Sequence, residues 1–263
     1  MEHLLTALLW FIVSLPLVLL TQRWIHRHLH GVALLITGKP GWAVVLYSLV
    51  LFPGVVLHEV SHWLSAKLLG VRTAGMSLLP KMSKDGSIQL GYVEYYRTPD
   101  LGSVRESLIG GAPLLTGAAA ILIIAYNIFN LPGLAQILPT LNLTDLLLTL
   151  QNLLYTKDFL VWLYLFFAIS NAMMPSASDR RAWPTFFLIL GFIFVVIYLL
   201  GLADVIFTNL LGPATAFFSY LALAFSLTIL VNVLFIFLIG GGEWLIGQIR
   251  GAEVVYRKPG KTK

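Results

Sequence analysis

The chain has 263 residues, of which 58% are hydrophobic and only 11% charged. A soluble domain carries about a quarter charged residues, so this composition excludes a water-soluble globule and, equally, a disordered chain. The absence of cysteine removes disulfide scaffolds, zinc ribbons and thiol nucleophiles. A net charge of +5 would suit nucleic acid, but in so apolar a chain it belongs at a membrane face.

In chain order, six segments are long and apolar enough to be read as membrane spans: Leu4–Leu20, Gly41–Leu64, Leu108–Phe129, Phe159–Met174, Trp183–Leu202 and Thr215–Ile239. Gly240-Gly241-Gly242 follows the last as a hinge. Ala74–Pro80 and Ser87–Tyr96 are β-prone and flank a Lys84-Asp85-Gly86 turn, which predicts a small β-hairpin between the second and third spans. Leu141–Leu154 reads as an amphipathic interfacial helix or a distorted half-span. The expected fold is an all-α polytopic membrane protein, one domain over 1–263, with a core over 41–182.

Six spans sort the seventeen Lys and Arg thirteen to four, with Arg23, Arg27, Lys39 and Lys157 alone on the poorer side. By the positive-inside rule, both termini and the hairpin are then cytoplasmic. The expected location is the plasma membrane of a prokaryote.

The second span carries His58-Glu59-Val60-Ser61-His62. Residues i and i+4 share a helix face, so both imidazoles can reach one metal ion, with the glutamate near enough to take a proton from water. With six histidines in the chain, such a run arises by chance roughly 0.003 times. The plainer reading, a polar cluster for helix packing, has to meet the cost of ionisable groups at membrane depth. A hydrolytic zinc site needs a third ligand. His3 and the group His26, His28 and His30 are poor candidates, because the six-span topology puts that group at the opposite face, as interfacial residues. Asp179 is the better candidate, since Pro175 disturbs the helix before it and irregular backbone at membrane depth marks sites. Its plainer reading is a charged turn, Asp179-Arg180-Arg181, that caps the fifth span.

An H-E-x-x-H on the second span, a β-hairpin, a Gly110-Gly111-Ala112-Pro113 opening to the third span and an Asn/Pro/Asp segment after the fourth together resemble the site-2 family of intramembrane zinc metalloproteases. The resemblance covers about residues 41–182. It implies one Zn2+ held by His58, His62 and Asp179, Glu59 as general base, and Asn171 against the substrate backbone. It also implies a transmembrane protein or peptide as substrate, cut near the cytoplasmic face within the lipid bilayer. No nucleic acid is expected, and a homo-oligomer or a regulatory membrane partner stays open. An edge strand of the hairpin would hold the unwound substrate, the alternative being a simple surface cover. Two other functions use the same residues: a non-catalytic membrane scaffold or chaperone of this fold, and a metal transporter. Transport would favour ionisable residues spread over several depths and has no use for the glutamate.

Overall fold

The computed structural model describes residues 2–82, 88–96, 102–137 and 143–256. The elements in chain order are α1 (Glu2–Thr37), α2 (Pro40–Leu68), β1 (Thr73–Ser77), β2 (Lys81–Met82), β3 (Ile88–Gln89), β4 (Tyr92–Tyr95), α3 (Gly102–Asn127), α4 (Leu131–Ile137), α5 (Leu143–Leu154), α6 (Phe159–Ala172), α7 (Trp183–Leu199) and α8 (Ala203–Arg250). Four helices, α1, α2, α3 and α8, are long and apolar enough to cross a membrane. The count is five if Leu147–Leu154 and Phe159–Ala172, bent by 91°, form one broken span. The other two predicted spans correspond to shorter helices: α6 has 14 residues and α7 has 17. At 1.5 Å per residue, α7 is about 26 Å long, a little under the hydrocarbon thickness.

The predicted end of the first span at Leu20 is corrected. Helix α1 runs on for 36 residues through Gln22, His26, His28 and His30. Polar groups there end a hydropathy run without ending the helix, because neighbouring helices satisfy them. The predicted hinge at Gly240–Gly242 is corrected as well, since α8 is continuous over 48 residues. Its glycines are weak helix formers, but Gly240 lies against the Trp24 ring and α8 packs along the whole of α1.

These two helices run parallel. Phe11 packs on Phe218 and Phe225, Thr21 accepts from Asn232, His28 meets Glu243, and Arg250 Nη2 donates to Ile36 O at 2.6 Å. Two helices that each cross once in the same direction leave their C-terminal ends on one side. Glu2 and Arg250 lie at opposite ends of the pair, an arrangement that puts them on opposite faces where each helix crosses once. Arg250 lies at the same end of the pair as Lys39, which follows α1.

The hairpin is present in a nested form. β1 pairs with β4 antiparallel, with an irregularity between Thr73 and Gly75, and β2 pairs with β3 through Lys81↔Gln89 and Met82↔Ile88. The predicted turn at Lys84–Gly86 lies outside the described residues. The 12-residue α5 fits the expected helix at Leu141–Leu154, apart from its first two positions, which also lie outside the described residues.

The core that positions the site lies where α1, α2, α3, α6 and α8 meet. One cluster joins Val18, Ile121, Phe166, Met173 and Phe225; a second joins Ile25, Tyr47, Leu51, Val55 and Phe167.

Candidate metal centre

His58 and His62 lie one turn apart on α2, as their spacing requires, and face Asp179 in the segment between α6 and α7. Their ligand atoms lie within 4.8 Å of one another, and this group is able to hold a metal ion. Nε2 of His62 is 3.1 Å from Nε2 of His58 and 3.4 Å from Asp179 Oδ1, while His58 Nε2 is 3.7 Å from Asp179 Oδ2. Tetrahedral ligands about 2.05 Å from a zinc ion stand about 3.3 Å apart, so these edges fit one ion.

The tautomers strengthen this fit. Nδ1 of His58 lies 2.7 Å from the Ala172 carbonyl and Nδ1 of His62 lies 2.8 Å from the Ile109 carbonyl. Carbonyl oxygens only accept, so both Nδ1 atoms carry the proton in the neutral rings. Both Nε2 atoms then present lone pairs to each other and to a carboxylate. With both rings neutral three acceptors converge, and a metal cation, or a proton shared on one ring, relieves that repulsion. A histidine that ligates through one nitrogen and donates through the other is the usual orientation device at a metal site.

Local chain chemistry places these carbonyls. Pro113 lies inside α3 and has no N–H, so the Ile109 carbonyl four residues earlier lacks its helical donor. His62 supplies one. At the end of α6 three successive carbonyls take side-chain donors: Ser170 from Gln22 at 2.6 Å, Asn171 from His26 at 3.0 Å, and Ala172 from His58. A helix leaves its last carbonyls unpaired, and Pro175 keeps α6 from extending to close them.

Asp179 is not a cap. The residue before α7 is Ala182, and Asp179 Oδ2 accepts from the Ser176 amide at 2.7 Å. Gly110 on α3 makes its approach possible, because a Cβ there would overlap the Asp179 carbonyl. Gly91, just before β4, similarly lets the hairpin close onto Glu59: an added Cβ would meet the Glu59 side chain at 2.9 Å.

A cavity of about 790 Å³ contains all of these groups. Its wall runs from His58, Glu59, His62 and Asp179 past Asn171 and residues 89–93 of the hairpin to His26 and Tyr47. Glu59 is buried at 6% exposure, so it is shielded from bulk water and close to the two imidazoles. Asn171 is also buried. Its Nδ2 donates to Phe167 O and Asn232 Oδ1, both at 2.9 Å, and its Oδ1 has no donor among the described residues.

The histidine group of α1 is split by the fold. His26 is not a membrane thickness away: it lines the same cavity, with Nε2–H donating to Asn171 O and Nδ1 accepting from the Tyr47 hydroxyl at 2.6 Å. Sequence reading missed this pair. The signal available was the spacing of Gln22 and His26, i and i+4 on one face. His28 instead meets Glu243, which also accepts from Tyr256; burial and then this carboxylate push the Tyr256 phenol above its ordinary value. His3 lines a separate groove between α1 and α8.

No protein-family model, curated protein or solved structure matches this chain.

Proposed function

We propose that the chain is an intramembrane zinc endopeptidase that hydrolyses a peptide bond of a membrane-spanning substrate near the hairpin face. The observation that carries this reading is the convergence of two Nε2 lone pairs and the Asp179 carboxylate beside a buried Glu59, within helices apolar enough to cross a membrane. Zinc bound there would lower the pKa of a coordinated water to about 7. His58, His62 and Asp179 would hold it, and the Ala172 and Ile109 carbonyls would keep both rings in the ligating tautomer. Glu59 would accept a proton from water and deliver it to the leaving amine, the work of a positioned acid/base.

Substrate would lie between these ligands and the hairpin. Tyr92, Val93 and Tyr95 of β4 line the same cavity as the ligands, so an unwound peptide seated there would lie along the hairpin and would add to it as a strand. The free Oδ1 of Asn171 would accept a backbone N–H of the same peptide. A transmembrane helix satisfies all of its own backbone groups, so these acceptors matter only after local unwinding.

The test is zinc content of the purified chain, with cleavage of a labelled transmembrane peptide before chelation, after chelation and after zinc is restored. Stoichiometric zinc with chelator-sensitive cleavage supports the reading. Absence of metal binding overturns it. Metal binding without cleavage over a range of peptides would favour the scaffold, and metal flux into vesicles would favour the transporter.

A further inference from the structure

We infer that Pro113 is a positioning residue for the metal centre, acting by keeping the Ile109 carbonyl open for His62; this rests on the metal-binding reading above. In an unbroken helix the amide of residue 113 would donate to the carbonyl of residue 109. Proline has no such amide, yet α3 runs continuously from Gly102 to Asn127 through it. Ile109 is fully buried, so water does not satisfy its carbonyl. The donor it has is His62 Nδ1–H at 2.8 Å, from another helix. The bond satisfies a buried acceptor and at the same time dictates which nitrogen of His62 faces Asp179.

The same arithmetic recurs in α2, where it serves only packing. Pro53 frees the Leu49 carbonyl, and the Tyr164 hydroxyl approaches it at 3.4 Å. In α1, Pro16 is exposed, and no side chain is seen on the Ile12 carbonyl it leaves open among the described residues. At Pro113 the freed carbonyl is instead spent on a ligand, and the substitution that restores the helix should harm the site. Giving residue 113 an N–H lets the backbone reclaim Ile109 O. His62 then loses its acceptor, and its ring can turn or change tautomer.

The experiment measures Co2+ affinity by chelator competition, and the visible d–d spectrum, in wild type, Pro113→Ala, Pro113→Val and the control Pro16→Ala. Pro113→Val is included because it is nearest in volume to the buried proline. Loss of an outer-sphere partner typically weakens metal binding about 10–100-fold. We expect that loss in either Pro113 variant that folds, with an altered spectrum, unchanged or raised thermal stability of the metal-free protein, and wild-type behaviour in Pro16→Ala. Wild-type affinity and spectrum in a folded Pro113 variant would overturn the inference while leaving the metal centre standing. Failure of the wild type to bind Co2+ would overturn both. If neither variant folds, 15N-histidine spectra of the Zn2+-loaded wild type decide: ligation of His62 through Nε2 with a proton on Nδ1 supports the assignment, and ligation through Nδ1 overturns it.

Discussion

Gly110 and Asp179 meet backbone to backbone, so closely that a methyl group on Gly110 would lie only 2.0 Å from the Asp179 carbonyl oxygen. The contact ties α3 to the segment after α6. It brings a carboxylate from outside α2 to the two histidines of that helix.

Gly110→Ala should therefore displace Asp179 without touching either histidine. We expect metal affinity to fall by at least about 10-fold, the scale of losing a supporting partner, with His58 and His62 still ligating. Titration with Co2+ and a chelator measures this. Unchanged affinity would mean that Asp179 reaches the ion from a shifted backbone, or does not ligate.

The histidine pair was legible in the sequence because its geometry is local: five residues of one helix place both rings on one face whatever the tertiary fold. Asp179 was legible for a different reason, since Pro175 ends α6 and leaves Asp179 on the irregular segment that follows. The placement of His26 was not legible. Hydropathy drops after Leu20, and a sequence reading ends the span there. The helix continues because Gln22 and His26 find the Ser170 and Asn171 carbonyls, and His28 finds Glu243. Those partners lie more than 140 residues away in sequence, as their separations of 148, 145 and 215 show, and no local pattern reports them. The parallel course of α1 and α8 is hidden in the same way.

That parallel course makes a sidedness prediction. The chain has no cysteine, so single cysteines report cleanly. Lys39→Cys and Glu253→Cys, both exposed, should be labelled by an impermeant thiol reagent from one side of the membrane, and His3→Cys from the other. Labelling of all three from the same side would contradict the arrangement of α1 and α8.

His26 lines the cavity but ligates nothing in this arrangement. His26→Leu would strand the Tyr47 hydroxyl and the Asn171 carbonyl, each buried and hydrogen-bonded to the ring. An unmade buried hydrogen bond costs about 1–3 kcal/mol. We expect a clear drop in thermal stability with zinc content retained. Loss of zinc without loss of stability would make His26 a ligand and displace Asp179 from that role.

Glu59 divides the three functions proposed for this site. It is buried, lies between the two imidazoles in sequence, and has the hairpin at Gly91 closed against it. As general base it stands near the ion without binding it, so Glu59→Gln should keep the metal. The amide is close to the carboxylate in shape but cannot take a proton from water, and a positioned acid/base is worth about 10²–10⁴-fold in rate. A transporter would keep most of its flux, since His58, His62 and Asp179 remain. A scaffold would keep its partner binding, since packing is nearly unchanged. The measurement is zinc per molecule together with cleavage of a transmembrane reporter, in wild type and Glu59→Gln. Zinc retained with cleavage lost is the expected result. Equal cleavage in the two proteins would remove Glu59 from the mechanism, because no other carboxylate joins the histidine pair among the described residues except Asp179, whose oxygens face the ring nitrogens themselves.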